Sequence, residues 1–176
     1  MRVAGLIQDS IVDGPGFRFV VFAQGCTINC AGCHNPEAQD PFGGTEMPAG
    51  GIITEMLGNP LTDGLTLSGG EPFLQAAACA MIATAAREGG LDVWAFSGFT
   101  FERLVELARS DHEVGELLGL IDVLVDGPFI VSQRSLLLKW RGSRNQRVLD
   151  VPRSMAAGEA VVLSGEMRHG GRYAYS

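Results

Sequence analysis

The segment "GCTINCAGCHN", residues 25–35, carries Cys26, Cys30 and Cys33, three thiols inside eight positions. Spaced by three residues and then by two, they can converge from one loop on a small metal assembly. Soft thiolate ligands suit zinc and iron–sulfur centres. Closed sites of either kind normally take four protein ligands, and no fourth cysteine stands nearby. Two readings follow. In one, His34 completes a structural zinc site, although adjacent Cys33 and His34 must then bend back on the same ion. In the other, the cysteines hold a 4Fe-4S cluster whose fourth iron stays open for a ligand that is not protein, and such an iron is reactive. The remaining cysteine, Cys79, falls in an Ala-rich segment, where a free thiol is best read as a small buried hydrophobe.

The elements that must position this loop are legible around it. "FRFVVFAQG" (17–25) reads as a buried strand, rich in Val and Phe and stopped by Gly25, and it delivers the chain into the cysteine loop. A helix is expected from about Pro48 to Leu57, ended by "GNP". "GLTLSGG" (64–70) is the next strand, followed by an Ala-rich helix over 72–88 that closes at Gly89 and Gly90. "LDVWAFSG" (91–98) is strand-like. Thr100 then caps "FERLVELARS", in which Phe101, Leu104, Val105 and Ala108 share a face. "LIDVLVDG" (120–127) is the fourth strand, and a hairpin turned at Gly170 and Gly171 is expected near the end.

Strand alternating with helix implies a parallel sheet built from right-handed crossovers. Each strand is followed by a Gly-bearing stretch: the cysteine loop, "SGGEP", "SGFT" and "DGPF". In α/β folds ligands gather outside the carboxyl ends of the strands, so these four stretches should meet there. A complete eight-unit barrel needs roughly 200 residues or more. The expected fold is therefore α/β: a partial, open-sided (β/α) barrel.

Composition limits the function. A chain of 176 residues, 46% hydrophobic and 19% charged, suits one domain over 1–176, with 164–176 a hairpin or a flexible tail. A net charge of −7 argues against nucleic acid or an anionic membrane as the main partner. The first residues hold no apolar core of signal-peptide length, and a cytoplasmic location is expected.

The CxxxCxxC pattern resembles that of radical S-adenosylmethionine enzymes, and "GGEP" (69–72) looks like the glycine-rich motif that contacts the cofactor's amino group. "SIVDGPGFRFVVFAQGC" (10–26) and "CHN" (33–35) resemble glycyl-radical-enzyme activases. "VWAFSGFTFE" (93–102), "IDVLVDGPF" (121–129) and "KWRGSRNQRVLDV" (139–151) are similar to the activating proteins of anaerobic ribonucleoside-triphosphate reductases. The resemblance implies one 4Fe-4S cluster on Cys26, Cys30 and Cys33, whose open iron is chelated by the amino and carboxylate groups of S-adenosyl-L-methionine. It further implies reductive cleavage to methionine and a 5'-deoxyadenosyl radical, which takes a hydrogen from one glycine Cα of the partner enzyme. Gly69, Gly70, Glu71 and Pro72 would form the amino-group site, with Glu71 holding the strand-to-helix turn or binding the ammonium. Gly32 stands where many such enzymes carry an aromatic residue beside the adenine, and His34, next to Asn35, partly replaces it. Ser97 and Asp126 are candidates for the ribose or methionine-carboxylate environment, Asp126 through a bound monovalent cation; otherwise both are turn residues. The implied partners are a glycyl radical enzyme as protein substrate and a flavodoxin-like or other low-potential electron donor.

Alternatives stay open: an activase of another glycyl radical enzyme, a radical modification of a peptide or metabolite, or a zinc or iron–sulfur binding module without catalysis. One stretch is unassigned. Residues 127–149 hold Arg134, Lys139, Arg141, Arg144 and Arg147 without an acid, either a docking face or contact with cofactor carboxylate, or a solvated face whose long stems cover the core. "DGPG" (13–16) is expected to turn the chain into the first strand and to come near the partner.

Overall fold

The computed structural model describes residues 1–164. The hairpin expected at Gly170 and Gly171 lies outside them. The chain runs through β1 (Arg2–Ser10), β2 (Arg18–Ala23), β3 (Thr45–Glu46), α1 (Ala49–Gly58), β4 (Gly64–Gly69), α2 (Ala76–Glu88), β5 (Asp92–Phe96), α3 (Phe101–Ala108), α4 (His112–Leu120), β6 (Val123–Asp126), β7 (Arg147–Asp150) and α5 (Val151–Ala157). One seven-stranded sheet has the order β3-β1-β2-β4-β5-β6-β7. Its ends do not pair, so the barrel is partial and open, as expected.

The centre of the sheet is parallel, with β2, β4, β5 and β6 in consecutive register. Its margins are not: β1 and β3 run antiparallel on one side and β7 on the other. These margins were not read from the sequence. β1 mixes Gln8 and Asp9 with its apolar residues and is buried mainly at Val3 and Ser10, so it lacks clean alternation. α4 was missed as well. Gly115 and Gly119 weaken it as an isolated helix, but Val114, Leu117 and Leu118 are buried, and Asp111 caps its start by accepting from the Glu113 and Val114 amides.

Strand side chains alternate between two faces. Phe19, Val21, Leu65, Leu67, Val93, Ala95 and Leu124 join Ile52, Met56, Ile82, Leu104 and Leu117 in one core beneath the helices. Burial of each large apolar side chain there contributes about 1.5–3 kcal/mol. Ala76, Ala80, Ala83 and Ala86 are the buried face of α2, short side chains that bring the helix close to its neighbours. Cys79 is fully buried among them, and burial, reinforced by the nearby Glu71 charge, pushes its thiol up to about 12. It is the inert core residue expected.

The opposite face of the sheet is different. Trp94, Val123 and Val125 form a second cluster with Trp140 and Val148. Below Trp94 lies Arg18, fully buried, its Nε donating to Thr66 Oγ1 at 3.1 Å and its guanidinium paired with Asp92. The Trp94 ring sits 5.7 Å from the Arg18 Cζ. The "DGPG" turn packs here, at the amino end of β2. The Asp13 carbonyl accepts from Thr66 Oγ1 at 2.8 Å, and a Cβ on Gly14 would meet Arg18 Nε at 3.1 Å. The turn thus leads into the first parallel strand, at the end of the sheet away from the cysteines.

Candidate active site at the carboxyl end of the sheet

Gly25 leaves β2 with φ 95°, a left-handed conformation that glycine adopts without strain. The loop that follows is closed at its base. The Gly25 and Cys26 amides donate to the Ala38 and Gln39 carbonyls at 2.8 and 3.1 Å. The buried Gln24 side chain donates to the Glu37 and Asp40 carbonyls at 2.8 and 2.6 Å. Inside the loop, Asn29 (φ 50°) and Gly32 (φ 72°) supply left-handed turns, the Cys33 amide donates to the Cys30 carbonyl at 3.2 Å, and the Asn35 amide approaches Cys33 Sγ at 3.4 Å. Asn35 then opens a short turn over Pro36–Ala38.

All three loop cysteines are free and partly exposed. Burial pushes the Cys30 thiol up, the Phe129 amide works against that, and Cys26 and Cys33 add their repulsion. Among the described residues no three Cys, His, Asp or Glu side chains gather as one metal ion requires, His34 included. His34 instead packs on the Phe129 ring, centroids 4.8 Å apart. The donor set of three thiols fits a cluster that spreads its ligands over separate irons.

The glycine-rich motif is locked to this loop. The Gly70 amide donates to the Ala23 carbonyl at 2.7 Å and the Glu71 amide to the Gly25 carbonyl at 2.8 Å. A Cβ on Gly70 would lie 2.3 Å from the Gly25 oxygen, and one on Gly69 (φ 96°) 2.6 Å from the Ala23 backbone. Close approach is what these glycines provide, and it is to the chain's own strand end. Pro72 is buried and begins the turn Pro72–Gln75 that enters α2.

Glu71 is fully buried and bonds the turn that it opens. Its carboxylate accepts from the Phe73 amide at 3.2 Å, the Gly98 amide at 2.9 Å and the Ser97 hydroxyl at 3.0 Å. Burial pushes the group up to about 7, against the lowering effect of these donors. Ser97, itself buried, also accepts from the Phe99 amide at 3.0 Å, so its hydroxyl ties the loop after β5 to the turn after β4. Asp126 is almost fully buried at the end of β6. It accepts from the Phe101 amide at 2.8 Å, at the start of α3, and from Arg147 Nε at 3.0 Å. Arg147 and Asp126 thus form an ion pair at the end of β6.

Sequence reasoning missed Phe129. Its ring lies 3.7 Å from where a Gly32 Cβ would be, and Val131 lies 3.2 Å from the same point. A side chain at position 32 would crowd Val131 and strain the left-handed backbone, and Phe129 stands beside that position. "GSRNQ" gains a role too. Gln146 Oε1 accepts from the Gly142 and Ser143 amides at 2.9 and 3.1 Å, its Nε2 donates to the Gly127 carbonyl at 3.1 Å, and Asn145 donates to the Pro128 carbonyl at 2.8 Å. These bonds fasten the excursion after β6 to its own root.

A family model described as a 4Fe-4S single cluster domain matches residues 12–149, so the fold and thiol loop define an iron–sulfur protein of the single-cluster kind. The anaerobic ribonucleoside-triphosphate reductase-activating protein of Vibrio cholerae is 36% identical over 144 residues, 77% of this chain and 89% of that protein. Its Salmonella typhi counterpart is 34% identical over 158 residues, covering 84% and 97%. The protein of that name from Enterobacteria phage T4 is 31% identical over 145 residues, covering 78% and 86%. The chain belongs to the family of anaerobic ribonucleoside-triphosphate reductase-activating proteins. Among the described residues no helix is long and apolar enough to cross a membrane.

Proposed function

We propose that this protein is a radical S-adenosylmethionine activase that installs a glycyl radical on an anaerobic ribonucleoside-triphosphate reductase. Cys26, Cys30 and Cys33 would hold one 4Fe-4S cluster, with the methionine moiety of S-adenosyl-L-methionine completing the fourth iron. When bound, cluster and cofactor together supply the one-electron cleavage that yields a 5'-deoxyadenosyl radical able to take hydrogen from a glycine Cα. The chain positions them. Gly69, Gly70, Glu71 and Pro72 set the edge of the cofactor's amino-group site. Gly32, His34 and Asn35, with Phe129 behind them, border the adenine side. Ser97 and Asp126 act as positioning residues that hold the loops after β5 and β6. A low-potential donor of the flavodoxin kind would reduce the cluster. The open sheet leaves room for a loop of another protein, as a glycine target requires.

The bond from the Glu71 amide to the Gly25 carbonyl carries this reading most directly, because it joins the cofactor motif to the thiol loop in one rigid unit. The test is anaerobic reconstitution with iron and sulfide, reduction with S-adenosylmethionine present, and chromatography of 5'-deoxyadenosine beside a Cys30→Ala variant. Product from the unaltered protein alone is expected. No product from either, with zinc retained, would establish the binding-module reading. With product in hand, mixing with the reductase should give the glycyl-radical doublet in electron paramagnetic resonance, and its absence with an active reductase would sink that target.

A further inference from the structure

The excursion between β6 and β7 is a hairpin whose arms meet at Arg134 and Ser143, with the Ser135 amide donating to the Gly142 carbonyl at 3.1 Å and the Arg144 amide to the Gln133 carbonyl at 3.0 Å. Its root is bound into the site: Phe129 stacks on His34, and Val131 and Gly142 face Gly32 and His34. Trp140, with φ 61°, turns its ring against Trp94 at 5.8 Å and fixes one arm to the sheet. Its tip is bound to nothing comparable. Leu136 is 86% exposed and Leu137 96%. Burying two such side chains on a partner removes apolar surface from water and favours association.

Charge surrounds the tip. Arg134, Lys139 and Arg144 are exposed and belong to no ion pair among the described residues, whereas Arg147 is held by Asp126 and Glu102. In a chain of net charge −7, this is a local cationic rim around an apolar point. A second exposed apolar group, Ile11, Val12, Phe17 and Leu61, lies at the amino ends of β2 and β4, remote from the thiol loop.

We propose that the Leu136–Leu137 tip and its Arg134, Lys139 and Arg144 rim are the docking surface for the glycyl radical enzyme, seating in an apolar pocket bordered by Asp and Glu beside the target glycine. The proposal rests on the activase reading. It follows from continuity: the root of this hairpin packs on the thiol loop through Phe129, Val131 and Gly142, so the exposed tip belongs to the same element that borders the site. The cationic rim favours an acidic partner and steers its approach. The hairpin's root and the cluster loop share the Phe129–His34 contact, so a partner docked on the tip is held by the element that borders the site.

Binding of the reductase of the same cell to the full-length reconstituted protein is measured by sedimentation velocity and surface binding kinetics. Leu136→Ser with Leu137→Ser should weaken it at least about tenfold, equivalent to 1.4 kcal/mol. Arg134→Glu, Lys139→Glu and Arg144→Glu together should slow association and remove most of its salt dependence. Val12→Ser should change neither. 5'-Deoxyadenosine formed without partner under strong reductant should persist in all variants. If the unaltered protein forms none, the activase reading fails while the binding data still decide the surface. Unaltered affinity in both hairpin variants overturns the proposal. So does loss of a self-dimer in the leucine variant with partner affinity unchanged, which would make the tip a contact between copies.

Discussion

Asp92 and Glu71, buried at opposite ends of the parallel strands, are satisfied in opposite ways. At the amino end Asp92 faces the fully buried Arg18, an ion pair sealed under Trp94 and the "DGPG" turn. At the carboxyl end Glu71 has no cation against it among the described residues, and accepts from the Phe73 and Gly98 amides and the Ser97 hydroxyl. Burial pushes both acids up, but Arg18 opposes this for Asp92, whereas Glu71 has only neutral donors to oppose it. One end is closed by a pair that cannot give; the other is a lattice of loop-to-loop bonds around thiols left partly open. Asp126, also buried at the carboxyl end, is paired with Arg147, so the neutral bracing is particular to Glu71 and the turn that it holds.

The largest effect is expected at the closed end. Arg18→Met leaves Asp92 buried without its partner and removes bonds to Thr66 and the Leu65 carbonyl. Breaking a buried pair in this way costs about 3–5 kcal/mol. Urea unfolding should show that loss, and Arg18→Met with Asp92→Leu should recover much of it. A loss under about 1 kcal/mol for the single change would mean that the pair does not seal this end.

The contrast also marks what could be read in advance. The thiol loop, the glycine motif and the four parallel strands follow from local signals: tight cysteine spacing, glycines after apolar runs, proline and threonine at helix starts. Fold class and cofactor loop were legible for that reason. The antiparallel margins were not, because β1 is an uneven strand whose identity depends on pairing with β2. Nor was the contact between Phe129 and His34, residues separated by most of the sheet's crossovers. Ser97 and Asp126 were found as strand-end polar residues, yet their partners, Glu71 and Arg147, are set by tertiary contact, so composition could not separate a ligand role from a bracing one.

Glu71 offers the next test, with an effect on the order of 3 kcal/mol, since its shift from 4.5 to about 7 carries about 1.4 kcal/mol per pKa unit. The folded state holds the proton more tightly than the unfolded chain. Between about pH 4.5 and pH 7 the unfolded chain ionises first, so stability falls as pH rises through that window and levels above it. Glu71→Gln, a neutral shape mimic, should remove this part of the slope. Unfolding free energies of both proteins at pH 5 and pH 8 decide it: the gap between them should move in favour of the variant at pH 8. A gap independent of pH would mean that the neutral donors hold the carboxylate charged throughout, and the contrast with Asp92 would collapse.

The smallest effect is expected at the rim, where Glu102 pairs with Arg147 while Asp126 grips the same guanidinium from inside. Bonding to Arg147 pulls Glu102 down to about 2, so its contribution is present above the ordinary carboxylate range and is lost as pH falls toward 2. Glu102 is 57% exposed at its side chain, and solvent screens most of that attraction. Glu102→Gln should cost under about 1 kcal/mol at pH 7, and less in high salt. Asp126→Asn should cost more, because it takes charge from a buried acceptor that also holds the Phe101 amide at the start of α3. Equal losses would place the strength of the site in its exposed bridges rather than in the buried bracing beneath them.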